Sequence, residues 1–160
     1  MRPDVPTARD IMTRRLVTLR PDMRAVQAAG ILLKHSISGA AVVGEEGNLL
    51  GLLSEYDCLR AVAAGEYDLD RHDVVVTIEE LMTTAVHTIP PEMDLFAIAH
   101  EFVNLRVRRF PVVEAGRLIG QVSRRDVLRA AYELRRKALR EKRYPDYPEG
   151  RAPIRNYPRG

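Results

Sequence analysis

The chain has 160 residues, 46% of them hydrophobic, with one cysteine, Cys58. That composition supports a buried core, excludes an internal disulfide or a thiolate-rich metal site, and suits a reducing compartment. The formal net charge of +3 hides an asymmetry: residues 1–100 carry nine Lys/Arg against fifteen Asp/Glu, and residues 101–160 carry sixteen against seven. No run approaches the roughly eighteen apolar residues that a membrane span needs, and Pro3 and Pro6 stand where a leader would be apolar, so the chain reads as cytoplasmic. The charge asymmetry fits an anionic partner near the second half, a charge-matched subunit contact, or simply solvated arginine-rich helix faces.

The sequence is internally duplicated. Shifting 7–43 by seventy positions and 47–61 by sixty-nine brings seventeen of fifty-two positions into identity. The matches fall at punctuation: Thr7, Met12, Thr13, Thr18, Pro21 and Met23 recur as Thr77, Met82, Thr83, Thr88, Pro91 and Met93, and Gly51, Ser54, Asp57 and Leu59 recur as Gly120, Ser123, Asp126 and Leu128. Two like units imply a pseudo-twofold axis and a seam, where ligands commonly bind. Each unit has only about sixty residues and needs its twin to cover its apolar surface.

In chain order, Thr7-Ala-Arg-Asp10 and Thr77-Ile-Glu-Glu80 have the form of capping boxes opening a short helical turn. Leu16–Leu19 and Val86–Ile89 follow as brief strands, stopped by Pro21 and by Pro90-Pro91. Ala25, Ala28, Ala29, Leu32 and Leu33 then trace the apolar stripe of a helix, repeated by Leu95, Ile98, Ala99, Phe102 and Val103. Ala40–Val43 and Phe110–Val113 read as buried strands, paired through glycine-bearing turns with Leu49–Leu53 and Leu118–Val122. The closing helices begin at Ser54 and Ser123; in the second unit Val127, Leu128, Ala131, Leu134 and Ala138 keep helical spacing to about Arg140. The reading is therefore an α/β (α+β) fold in four segments: a first unit at 7–64, an acidic linker at 65–76, a second unit at 77–140, and a mobile Tyr-Pro-rich tail at 141–160.

The order of these elements, with Met12-Thr13 and Met82-Thr83 near the starts, Phe110-Pro111-Val112-Val113 in a strand, and Gly51-Leu-Leu-Ser54-Glu-Tyr-Asp57 and Gly120-Gln-Val-Ser123-Arg-Arg-Asp126 near the ends, resembles the tandem cystathionine β-synthase (CBS) domain pair, or Bateman module. The resemblance implies two pseudo-twofold-related domains, each a small sheet packed on two helices. It also implies a non-catalytic regulatory module that binds an adenine nucleotide (AMP, ADP or ATP) or a related adenosyl ligand in the inter-domain cleft and signals to a partner, commonly as a homodimer. No cofactor is required.

Carried over residue by residue, the resemblance places Asp57 with Ser54 at one site and Asp126 with Ser123 at the other, each acid accepting from ribose hydroxyls. Arg108 and Arg109, just before the second strand, match a basic position aimed at phosphate; their first-unit counterparts are Ser38 and Gly39. Val17 with Thr18 and His87 with Thr88 fall where the family grips the base. Each residue also has a plainer role. Ser-x-x-Asp is a helix start, the threonines favour strands, Arg108-Arg109 can be a solvated pair, and the four histidines lack metal-ligand spacing. On the Arg109 contrast, the Asp126 site is expected to hold phosphate-bearing ligand more tightly than the Asp57 site.

No nucleotide-binding glycine loop, nucleophile elbow or zinc-protease motif occurs, so no enzyme is expected. Two rival readings are nucleic-acid binding through the basic helix from Arg124 to Arg143, and a protein-interaction scaffold with empty clefts.

Overall fold

The computed structural model describes residues 5–65 and 75–143. Most of the acidic linker and all of the tail from Tyr144 onward lie outside the described residues. In chain order the elements are α1 (Ala8–Ile11), β1 (Thr18–Leu19), α2 (Ala25–Lys34), β2 (Gly39–Val43), β3 (Leu49–Ser54), α3 (Glu55–Ala63), α4 (Ile78–Leu81), α5 (Leu95–Leu105), β4 (Arg109–Glu114), β5 (Arg117–Ser123) and α6 (Arg124–Arg143).

The repeat is carried through to detail. Both hairpins are antiparallel, Gly39↔Ser54 to Val43↔Leu49 in one and Arg109↔Ser123 to Glu114↔Arg117 in the other, and both slip register at the same place, after Val42 and after Val112. Ser36 and Arg106, one repeat apart, end α2 and α5 in left-handed conformation with φ of 52° and 54°. Both opening turns carry the capping box: the Thr7 amide donates to Asp10 Oδ2 and the Thr77 amide to Glu80 Oε2, each at 2.8 Å.

Two cores form, and they do not coincide with the two repeats. Ala8 and Met12, from the start of the chain, are buried with Ile89, Leu95, Ile98, Phe102, Phe110, Val112 and Val122. Conversely, Ile78 and Leu81 are buried with Leu19, Ala25, Leu32, Val42 and Leu53. Each opening turn thus packs into the other half. Backbone hydrogen bonds fix the exchange: Ala8 N to Met93 O at 2.8 Å and a reciprocal Thr13/Gln121 pair, mirrored by Ile78 N to Met23 O at 2.9 Å and a reciprocal Leu52/Thr83 pair.

This exchange explains the repeated Met and Gly. Gly51 lies under Met82 and Gly120 under Met12, so a Cβ on either glycine would collide with the methionine of the opposite repeat.

Three expectations need correction. The strand expected at Leu16–Leu19 is only Thr18–Leu19, pairing in parallel with Ala41–Val42. At Val86–Ile89 there is a single bridge, Ile89 to Val112, held by Ile89 N to Pro111 O at 3.0 Å and Val113 N to Ile89 O at 3.1 Å. The next rung would need an N–H from Pro111, which has none, so the ladder stops. Finally, Leu33 and Val103 are not buried with their stripes but are 76% and 74% exposed, and Leu128 is 72% exposed. Eight residues past Ala25 or Leu95, the helix has turned about 80° from its starting direction, beyond the edge of the buried face.

Candidate functional site

The Ser-x-x-Asp segments build two nearly identical local structures. Asp57 Oδ2 accepts from Ser54 N at 2.8 Å and Ser54 Oγ at 2.7 Å, while Ser54 Oγ takes the Asp57 amide at 3.3 Å. Asp126 Oδ2 accepts from Ser123 N at 2.8 Å and Ser123 Oγ at 2.6 Å, with the same return bond of 3.3 Å. Each serine caps a helix, and each carboxylate spends one oxygen on the cap. The other oxygens differ. Asp126 Oδ1 lies 4.0 Å from Arg129 Nη1. Asp57, 6% exposed, has no ion-pair partner among the described residues, and its Oδ1 takes no hydrogen bond there.

Asp57 lines a cavity of about 580 Å³ between the halves. The first half contributes Ser38, Gly39, Ser54, Glu55, Tyr56 and Asp57; the second contributes Thr83, Ala85–His87 and Arg106–Arg109. The halves meet in this way because each opening turn crosses over, carrying Thr83 to Leu52 and bringing the segment after it alongside β3 and the start of α3.

Arg109 spans the seam. Its Nη2 donates to Ser38 Oγ at 2.6 Å and its Nη1 to the Gly39 carbonyl at 3.0 Å. Burial pushes its pKa down and the charge of Arg108 adds to this, with Glu55 acting in the opposite sense. A half-buried guanidinium held only by neutral acceptors, with no carboxylate in ion-pair range among the described residues, is poised for an anion. Arg124 clamps the neighbouring loop, donating to Arg106 O and Val107 O at 2.8 Å each.

A second cavity of about 190 Å³ is lined by Thr13, Arg15–Val17, Ile37, Gly39–Ala41, Arg109 and Gln121. Eight of these ten residues are repeat counterparts of residues lining the large cavity, with Thr13 for Thr83, Val17 for His87 and Gln121 for Leu52. The two cavities are pseudo-twofold mates.

Of the residues chosen from sequence, Ser54, Asp57, His87, Arg108 and Arg109 gather around the large cavity, and Val17 with Arg109 borders the small one. Ser123, Asp126, Thr18 and Thr88 line neither. Sequence reasoning missed Tyr56 and Glu55, although both lie inside the Ser-x-x-Asp motif, and missed the contact of Arg109 with its own repeat counterpart, Gly39. Among the described residues no group of three or more His, Cys, Asp or Glu could hold a metal ion. No helix there is long and apolar enough to cross a membrane.

The architecture is that of a duplicated α/β module with a ligand-sized cleft at its seam. The sequence model of the CBS domain family matches residues 8–64 and 78–133, and the chain belongs to that family as a tandem pair. A crystal structure of CBSX2 from Arabidopsis thaliana in complex with AMP is 28% identical with a TM-score of 0.70, over 81% of this chain and 98% of that one. The CBS domain pair of protein MJ0100, crystallised with 5′-methylthioadenosine and S-adenosyl-L-methionine, is 27% identical with a TM-score of 0.66, over 81% and 98%. Uncharacterized protein MJ1225 of Methanocaldococcus jannaschii is 31% identical over 76% of this chain, which spans 41% of its length.

Proposed function

We propose that the chain is a non-catalytic, cytoplasmic sensing module that binds an adenine nucleotide or related adenosyl ligand in the cleft containing Asp57. The observation that carries this reading is one cavity holding both a buried carboxylate, Asp57, with an oxygen that takes no hydrogen bond among the described residues, and a half-buried guanidinium, Arg109, with no acidic partner among them. The first can accept ribose hydroxyls and the second can hold phosphate. Size supports the same choice, since the larger cavity, at about 580 Å³, falls in the usual range of ligand sites and its mate, at about 190 Å³, is the tighter of the two. The structural relatives crystallised with AMP, 5′-methylthioadenosine and S-adenosyl-L-methionine support an adenosyl compound as the ligand. His87, Thr88, Thr18 and Val17 remain candidate base contacts, and Ser123 with Asp126 the second site.

The test is thermal denaturation against AMP, ADP, ATP, S-adenosylmethionine and 5′-methylthioadenosine. A ligand at a hundredfold excess over its dissociation constant stabilises the fold by about 2.7 kcal/mol. No shift with any of the five, confirmed by calorimetry, defeats the reading and favours a scaffold with empty clefts.

Signalling needs a surface for a partner, and the reading makes the first partner a second copy of the chain. Val26, Leu33, Leu59, Phe96, Val103 and Leu128 are exposed on α2, α3, α5 and α6. They form repeat-related pairs, Val26 with Phe96, Leu33 with Val103 and Leu59 with Leu128, so the face shares the pseudo-twofold and can complement itself. Sedimentation at micromolar concentration is expected to give a dimer; monomer alone removes this part.

Nucleic-acid binding keeps one supporting observation: Arg125, Arg129, Arg136 and Arg140 are exposed on one face of α6. A gel shift that weakens steeply with salt is its signature, and its absence ends that reading.

A further inference from the structure

Arg109 and Gly39 are the same position in the two repeats, yet they touch. Two points related by a twofold can touch only close to the axis. The neighbouring hairpins confirm where the axis runs: Leu49 N donates to Gly116 O at 3.3 Å and its counterpart Leu118 N to Gly47 O at 3.0 Å. Arg109 therefore lies at the seam's centre, and it borders both cavities.

Among the described residues, Arg109 is the one arginine that lines both cavities; Arg106 and Arg108 line only the large one and Arg15 only the small one. A Cβ at Gly39 would lie 2.8 Å from the Leu53 carbonyl oxygen, a backbone atom of the paired strand, so the first repeat has no room for a side chain there. Where the pseudo-symmetry calls for two anion anchors, the chain supplies one. The same side chain narrows the small cavity, which also has Arg15 where the large one has Ala85.

Resting on the adenosyl-ligand reading above, we propose that the two clefts share Arg109 as a single phosphate anchor, so that a phosphate-bearing ligand in one cleft takes the guanidinium away from the other. Ser38 and the Gly39 carbonyl hold Arg109 between the two clefts. A phosphate in the Asp57 cleft outcompetes these neutral acceptors, because it adds the attraction of opposite charges and can take two guanidinium donors as a bidentate pair. The other cleft loses the one cation that the two share and keeps only those of its own wall, Arg15 in the small cleft or Arg106 and Arg108 in the large one. The coupling is consequently negative for phosphorylated ligands and absent for the nucleoside, and by linkage it acts equally in both directions.

The test is calorimetry with AMP and with adenosine on the wild type, on Arg109→Met, and on two variants that each block one cleft, Ala85→Trp for the large and Val17→Trp for the small. Melting curves without ligand establish that each variant folds, and Ala85→Met or Val17→Met replaces one that does not. In the wild type one site is expected to prefer AMP over adenosine by about tenfold or more, within the usual range of such couplings, and the other to show no preference. Blocking the large cleft should transfer the AMP preference to the small one, blocking the small cleft should leave it in the large one, and Arg109→Met should abolish it in both. Two AMP-preferring sites in the wild type would overturn the sharing while leaving the ligand reading intact, as would a small cleft that never gains the preference. Binding of neither AMP nor adenosine would overturn the sharing, and the ligand reading falls with it only if ADP, ATP, S-adenosylmethionine and 5′-methylthioadenosine fail as well.

Discussion

The two repeats share a backbone plan but fill it differently, and the contrast separates what the fold requires from what the site uses. Capping boxes, left-handed helix ends, shifted hairpins and Met-over-Gly contacts occur in both halves, because each secures the exchange of opening turns or the entry to an element. The clefts diverge. One has Ala85, His87 and an Asp57 oxygen that takes no hydrogen bond among the described residues; its mate has Arg15 and Val17 at the matching wall positions, and Asp126 Oδ1 lies 4.0 Å from Arg129. Duplication supplied two equivalent hollows, and substitution at a few wall positions made them unequal.

The cores are unequal too. Phe102 and Phe110 pack with ring centroids 4.4 Å apart at a 44° tilt, where the first repeat has Leu32 and Ala40. Phe110→Ala should thus be the most damaging single change, lowering stability by about 3–5 kcal/mol in urea denaturation. Leu32→Ala in the smaller core should cost about 2–5 kcal/mol and, on this comparison, fall at the lower end. Equal losses would mean that the two cores are energetically alike despite the aromatic pair.

The clefts are compared by removing their acids. Asp57→Ala is expected to weaken AMP binding by about tenfold to a hundredfold, the worth of roughly 1.5–3 kcal/mol for hydrogen bonds to a charged group. Asp126→Ala should change the tighter binding event much less. Calorimetry on both variants decides between them, and a larger loss for Asp126 would restore the preference inferred from the sequence alone.

The glycines under the methionines give a finer contrast. A Cβ at Gly51 would meet both the Met82 sulfur and the Thr83 carbonyl at 2.8 Å, whereas at Gly120 the atoms in the way belong to the Met12 side chain. A backbone carbonyl cannot yield as a flexible thioether chain can. Gly51→Ala should cost about 1–3 kcal/mol and Gly120→Ala less, read from thermal melts of the two variants.

Much of this was legible in the sequence, for identifiable reasons. The repeat, the caps and the hairpins depend on local chemistry, so Thr7, Asp10, Ser54 and Asp57 announce themselves by type and spacing. The exchange of opening turns was not legible, since a repeat offset shows which segments are alike and not which core each enters. Arg109 was picked out as a basic residue before a strand, but its contact with Ser38 and Gly39 depends on how closely the halves approach at the axis. The loss of the second short strand was readable in principle: Pro111 falls where the parallel ladder needs a donor. The exposure of Leu33 and Val103 was not, because a stripe drawn one position too wide looks the same until the neighbouring elements are placed.

The smallest effect concerns the opening turns themselves and tests whether the exchange is equally anchored at both seams. Asp10 and Glu80 each have a pKa held below the ordinary carboxylate value, first by the backbone N–H of the capped threonine and then by its hydroxyl. A depressed pKa means that the folded state favours the ionised acid. The stabilisation is therefore complete above the unfolded pKa, near about 4, and disappears as pH falls through the folded value. Asp10→Asn and Glu80→Gln should accordingly melt lower than the wild type at pH 7 and converge with it in acid. Both acids are largely solvent-exposed, so the differences should be small and comparable. A variant whose deficit stayed constant down to pH 2 would show that its carboxylate contributes through shape and packing, and not through charge on the exchanged turn.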